Sequence, residues 1–255
     1  MTVNKVFVLL ICCLLLALGG SLVFNSLLYS QAKKYYREVN ETRLDPIGLK
    51  RYPHASTQVT TSNQSVILLL GDSRAEGWTT PDLTAINPNA LVINRGISSQ
   101  TSTQVLQRFD AHVRPLNPSV VVLQVGINDL KTIGLFPGRK EEIIADCKAH
   151  IQKLVEQSTD LGATVIITTI FPVGEVPLQR KPFWSDDIEA AITEVNGAIA
   201  TLASADEAVV LLDSFSLLAD EQGKLRSDYS QDELHLTPAA YETLNQALIA
   251  TLKQL

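Results

Sequence analysis

The sequence predicts a doubly wound α/β domain on a mainly parallel sheet, preceded by a hydrophobic helix. Three observations carry this expectation. Five short apolar runs recur from residue 65 onward, at Val66–Leu70, Ala90–Ile93, Val120–Val125, Thr164–Ile170 and Ala208–Leu212. Stretches of helical periodicity separate them. Ahead of both lies Val6–Leu28, 23 residues without a charge.

Each apolar run is aliphatic or β-branched at consecutive positions, as in strands covered on both faces. Between the runs, apolar residues return at helical spacing. Val105, Leu106, Phe109 and Val113 form one stripe; Ile143, Ile144, Cys147, Ile151, Leu154 and Val155 form a second. Ile188, Ala191, Ile192, Val195, Ile199 and Leu202 make a third, and Tyr241, Leu244, Leu248 and Leu252 a fourth. Thr237-Pro238 supplies an N-cap and an N1 proline for the last helix. Strands alternating with helices imply parallel pairing and right-handed crossovers, with ligands bound beyond the carboxyl ends of the strands.

Val6–Leu28 matches the roughly 20 residues that cross a bilayer. It reads as a signal-anchor over residues 1–29, or as a signal peptide cleaved near Ser30-Gln31-Ala32. The excess of Lys33, Lys34, Arg37 and Arg43 over Lys5 places the domain in the cytoplasm by the positive-inside rule. Such a leader more usually precedes a secreted or periplasmic domain, so the two criteria point to opposite sides of the membrane. Residues 30–64 are polar, carry Pro46 and Pro53, and read as a linker or a spacer wrapped on the domain surface. Residues 65–255 are expected to form the folded α/β domain.

The 255 residues suffice for one substantial core. A net charge of −6 argues against nucleic acid as a partner. The three cysteines offer no disulfide framework and no zinc spacing, and Cys147 reads as a small buried apolar residue.

Polar clusters stand where the strands end. Gly71-Asp72-Ser73 follows the first, Asn94-Arg95-Gly96 the second and Gly126-Ile127-Asn128-Asp129 the third, while Asp232-Glu233-Leu234-His235 precedes the last helix. Singly, each reads more readily as a turn, a cap or a solvated surface residue than as a catalytic part. Together they supply an acyl-transfer site: Ser73 as nucleophile, His235 as base and Asp232 as its orienter. The Ser73 and Gly96 amides and the Asn128 side chain would form the oxyanion hole. Asp72 and Asp129 are expected to support turns. His54, His112 and His150 are expected on the surface. Trp78 and Trp184 are expected in the core, with a pocket wall as the alternative. The segment from Phe171 to Asp187 reads either as a substrate rim or as an ordinary surface connection.

These four ordered blocks resemble the SGNH hydrolases, the GDSL esterase/lipase family. "GDS" at 71–73, "NRGISSQT" at 94–101, "GIND" at 126–129 and "DELH" at 232–235 carry the likeness, which runs from about Ser65 to the C-terminus. Two positions depart from the pattern: Arg74 stands where the family often has leucine, and Ser99 where glycine is common. The resemblance implies a flavodoxin-like three-layer α/β/α sandwich with a five-stranded sheet. It also implies a serine esterase acting through an acyl-enzyme, with no metal or organic cofactor. The substrate would be a small-molecule, lipid or carbohydrate ester, and its binding residues are not readable. An acyltransferase on cell-envelope polysaccharide and a catalytically silent binding domain are the rival readings. No G-x-S-x-G elbow, HExxH, P-loop or GxGxxG sequence occurs.

Overall fold

The computed structural model describes residues 2–53, 64–83 and 86–255. By their contacts these fall into two units, Met1–Pro46 and Ile47–Leu255.

The first unit is the helix α1 (Thr2–Leu44). Its large apolar side chains from Val6 to Leu28 are exposed, and by length and composition it can cross a membrane. At 1.5 Å per residue it is about 65 Å long, roughly twice the hydrocarbon thickness of a bilayer. The polar stretch after Leu28, expected as linker, continues this helix. No glycine or proline interrupts residues 21–45, and Pro46 then stops the turn.

The second unit begins with a short strap laid on the domain surface, the second of the two readings of this stretch. The Ile47 carbonyl accepts from Gln100 Nε2 at 2.9 Å, and Tyr52 Oη donates to the Gly96 carbonyl at 2.7 Å. The strap covers His112, which is 1% exposed, packs edge-on against Tyr52 and lies 3.3 Å from the Leu49 carbonyl. The surface position expected for His112 is thereby corrected: an imidazole needs only an apolar neighbour and one polar partner to be buried. The remainder of the expected linker, with His54, lies outside the described residues.

Five parallel strands follow: β1 (Ser65–Gly71), β2 (Ala90–Gly96), β3 (Val120–Gln124), β4 (Thr164–Thr168) and β5 (Val209–Leu212). Their order is β2-β1-β3-β4-β5. The expected sheet is present, and the strands are buried because both faces are covered. Val66, Leu68 and Leu70 face α6 (Lys140–Thr159) and α7 (Asp187–Ala205), whose stripes centre on Cys147 and Val195. Ile67 and Leu69 face the other way, onto Trp78, Tyr241, Leu244 and Leu248. The last three belong to α9 (Pro238–Leu252), whose cap Thr237 accepts from the Ala240 amide as the sequence led us to expect.

Short helices complete the domain: α2 (Ser73–Glu76), α3 (Ser102–Gln107), α4 (Phe109–His112), α5 (Ile127–Leu130) and α8 (Ser214–Leu218). The stripe expected over Val105–Val113 is split at Arg108. The buried guanidinium of Arg108 turns inward to Gln100 Oε1 at 2.6 Å and to the carbonyls of Gly71 and Arg95 at 3.0 and 2.8 Å. The chain leaves β1 for β2 on one side and later places β3 on the other. The strand order therefore reverses at β1, and a crevice opens at its carboxyl end.

Leu68 is fully buried in the centre of β1. Leu68→Ala should cost about 2–5 kcal/mol, read from the denaturant midpoint at unchanged m-value. A loss below about 1 kcal/mol would show that this layer is not tightly packed.

Candidate active site

The turn after β1 is set by close packing. A Cβ at Gly71 would lie 1.7 Å from the Gln124 carbonyl of β3, so only glycine lets the strand end here. Asp72 then caps α2, its Oδ1 accepting from the Arg74 amide at 2.9 Å. Asp72 is fully buried, and that burial pushes its carboxyl up to about 6 against the pull of the Arg74 amide and guanidinium. Ser73 opens α2, half-buried, and among the described residues its amide has no hydrogen-bond partner.

The block before α9 is a turn built around one carboxylate. Asp232 Oδ1 accepts from the amides of Leu234 and His235, both at 2.8 Å. Its Oδ2 lies 2.7 Å from His235 Nδ1. The spacing of three works because the side chain mimics a turn carbonyl and so fixes the backbone that carries the imidazole. Burial alone would raise Asp232, but the His235 hydrogen bond and the two amides outweigh it and hold the carboxyl below its ordinary value. The other ring nitrogen, His235 Nε2, lies 3.2 Å from Ser73 Oγ. Residues 162 positions apart thus meet, and the chain Asp232–His235–Ser73 is continuous.

The second block is arranged differently from its expectation. The Gly96 amide donates to Asn94 Oδ1 at 2.7 Å, so it is committed within its own loop. What Gly96 provides is space: a Cβ there would lie 2.0 Å from the Glu76 amide nitrogen. The Gly96 amide expected to serve as an oxyanion donor is thus occupied by Asn94 in this structure. Three residues on, Ser99 adopts φ +66°, the left-handed region that favours glycine. Among the described residues its amide has no partner, and the side chain is exposed. The loop is pinned on either side of it. Ser98 donates from its amide to Glu76 Oε2 at 3.0 Å and also from its hydroxyl. Asn128 Nδ2 donates to the Gln100 carbonyl at 2.9 Å, leaving its second N–H unassigned. The departure from glycine at position 99 was the one sequence signal for this backbone.

Asp129 holds α3 in place, its carboxylate accepting from the Ser102 amide at 2.8 Å and from the Ser102 hydroxyl at 2.6 Å. Ser102 Oγ is also 3.0 Å from His150 Nδ1, so His150 is half-buried in this contact rather than free on the surface. Trp78 is core, with Nε1 donating to Asn245 Oδ1 at 2.8 Å.

A pocket of about 410 Å³ contains Ser73 and His235 with Gly77, Gln231, Leu236 and Tyr241. A larger cavity, about 800 Å³, is lined by Gly174, Trp184, Glu189, Lys224 and Ser230 and includes neither Ser73 nor His235. The segment after β4 thus faces this second cavity. Arg180, within that segment, pairs with Glu233, which is 2% exposed. Among the described residues no group of three or more His, Cys, Asp or Glu is placed to hold a metal.

Comparison with known proteins agrees with this architecture. The model of the GDSL-like lipase/acylhydrolase family matches residues 61–243. Among solved structures, a GDSL-like lipase from Bacteroides thetaiotaomicron has a TM-score of 0.68 at 24% identity, over 82% of this chain and 98% of that one. Axe2, an acetylxylan esterase from Geobacillus stearothermophilus, has a TM-score of 0.58 at 20% identity, over 74% and 95%. At these identities the structural likeness is one of fold. No curated protein has a significant sequence match. The chain belongs to the GDSL-like lipase/acylhydrolase family and is an ester hydrolase of the GDSL/SGNH type.

Gly96→Ala drives a methyl into the backbone of α2, which cannot yield as a flexible side chain would. It should cost about 3 kcal/mol, seen as a lowered melting temperature. A melt within about 1 °C of wild type would show that α2 and β2 separate freely.

Proposed function

We propose that Ser73, His235 and Asp232 are the catalytic triad of a serine esterase for short acyl esters, acetyl esters foremost. The observation that carries the reading is the pair of contacts on one imidazole, 2.7 Å to a carboxylate and 3.2 Å to a hydroxyl. Each of its nitrogens has one partner, so Asp232 selects the tautomer with hydrogen on Nδ1 and leaves Nε2 to accept the Ser73 proton.

His235 takes that proton as Ser73 Oγ bonds to the ester carbonyl carbon. The oxyanion that forms accepts hydrogen bonds from the Ser73 amide, the Ser99 amide and the free N–H of Asn128. Ser99 takes the part expected of Gly96, because its amide is uncommitted. His235 then delivers the proton to the departing alkoxide as the carbon–oxygen bond breaks, leaving an acyl-Ser73. Water, deprotonated by His235, attacks the acyl carbon, and Ser73 leaves with the proton. The small pocket beside Ser73 and its mixed lining favour a short acyl group. The Geobacillus neighbour, an acetylxylan esterase, points the same way.

α1 anchors the enzyme to a membrane in this reading, because its apolar side chains are exposed along a bilayer-spanning length.

Ser73→Ala should abolish labelling by a fluorophosphonate and hydrolysis of p-nitrophenyl acetate; labelling at another residue would displace Ser73 as nucleophile. Asn128→Ala should cost about 3 kcal/mol, or roughly 10²–10³ in kcat. A change of only a few-fold would remove Asn128 from the oxyanion site. In a chain-length series, kcat/KM should fall from acetate to octanoate, and a rise would point to a lipid ester instead. Asp232, held below the usual carboxylate value, should stay an anion down to the ordinary carboxylate range; a loss of kcat/KM that follows its protonation above that range would overturn this. The full chain should resist carbonate extraction from membranes, and release into the supernatant would argue against an anchor.

A further inference from the structure

The residue after the nucleophile is the larger departure from the family pattern. Arg74 is fully buried, yet none of the described carboxylates pairs with it. Its guanidinium instead donates to three main-chain carbonyls. Nε reaches Leu234 at 2.8 Å, Nη1 reaches Phe171 at 3.1 Å, and Nη2 reaches Pro172 at 3.3 Å. The Phe171 ring lies 5.3 Å from Cζ and adds its π face. Burial lowers Arg74 to about 10, partly offset by Asp72, Tyr241 and Asp232, so it remains cationic at neutral pH.

The three carbonyls are not equivalent in position. Leu234 immediately precedes His235, whereas Phe171 and Pro172 lie in the segment after β4. Arg74 itself immediately follows Ser73, and its own carbonyl accepts from Tyr241 Oη of α9 at 3.0 Å. One side chain therefore joins the turn of the proposed nucleophile, the loop of the proposed base and the end of β4.

We propose that Arg74 is a positioning residue: its guanidinium ties the Ser73 turn to the His235 loop and so sets the separation of Oγ from Nε2. This rests on the triad reading given above. A leucine here would fill similar space without the cost of burying a charge. It would also leave the Leu234 carbonyl without a donor and the His235 loop free to shift. A displacement of about 1 Å at a reacting pair can cost about 10² in rate, so a fixed clamp has a catalytic consequence that apolar packing does not supply.

The test uses the full chain, p-nitrophenyl acetate turnover, and a fluorophosphonate that counts competent Ser73. Arg74→Met keeps the length of the stem and removes all the donors. Its kcat per labelled site should fall about tenfold or more, with KM within about twofold, and the labelling rate should fall in parallel. Arg74→Lys keeps one charged donor group and should recover part of that loss. An arginine serving only the fold would lower the fraction of labelled enzyme and leave kcat per labelled site unchanged. That result, or a loss confined to KM, overturns the proposal. Should Arg74→Met not fold, Arg74→Lys is judged by the same criteria; if neither folds, Arg74 is a folding residue and the proposal falls. Failure of the wild-type enzyme to label at Ser73 would instead remove the triad reading.

Discussion

Three backbones converge at the carboxyl end of β1, and the rest of the site depends on that close approach. Gly71 meets the Gln124 carbonyl of β3, and Gly96 meets the amide of Glu76 in α2, both at distances no Cβ could occupy. Ser73 sits between these contacts. Because the sheet is parallel and covered on both faces, polar groups gather at its rim, where strands hand over to helices. The reversal of strand order at β1 spreads the neighbouring loops and leaves room for a substrate.

Around this point the protein buries several charged side chains. Asp72, Arg74, Arg95, Arg108 and Asp129 are each 8% exposed or less. Most of the hydrogen bonds described for them go to main-chain atoms: Arg108 holds the Gly71 and Arg95 carbonyls, Arg74 holds those of Leu234, Phe171 and Pro172, and Asp129 holds the Ser102 amide. Loops cannot be fixed by a ladder of backbone bonds as strands are, so long side chains with several donors take that role. A buried ion bonded to carbonyls is a poor source of stability but a stringent one of geometry. Catalytic distances are sensitive to geometry on the scale of an ångström.

Most of the fold was legible in the residues. Consecutive aliphatics from Val66 to Leu70 admit few structures other than a strand covered on both sides, and the stripe through Cys147 and Leu154 admits few other than a helix packed on a sheet. The Asp232 turn was legible too, since a carboxylate three residues before an imidazole can bond its ring and its amide at once. Less legible was the second block. Gly96 and Ser99 both lie in it, and choosing between their amides required knowing that Asn94 folds back onto Gly96. The continuation of α1 to Leu44 was hidden by its change of composition, although the absence of any helix breaker before Pro46 was present in the letters.

By itself, then, the sequence determined the strands, the long helices, the family and the blocks that face the crevice, because hydrophobic period and local hydrogen bonding act over a few residues. Tertiary structure alone decided which amides remain uncommitted, that His112 is covered by the strap at 47–53, and that Arg74 reaches across 160 residues to Leu234. Those outcomes depend on where separate segments meet. The meeting is fixed by packing of the whole core and not by any local pattern.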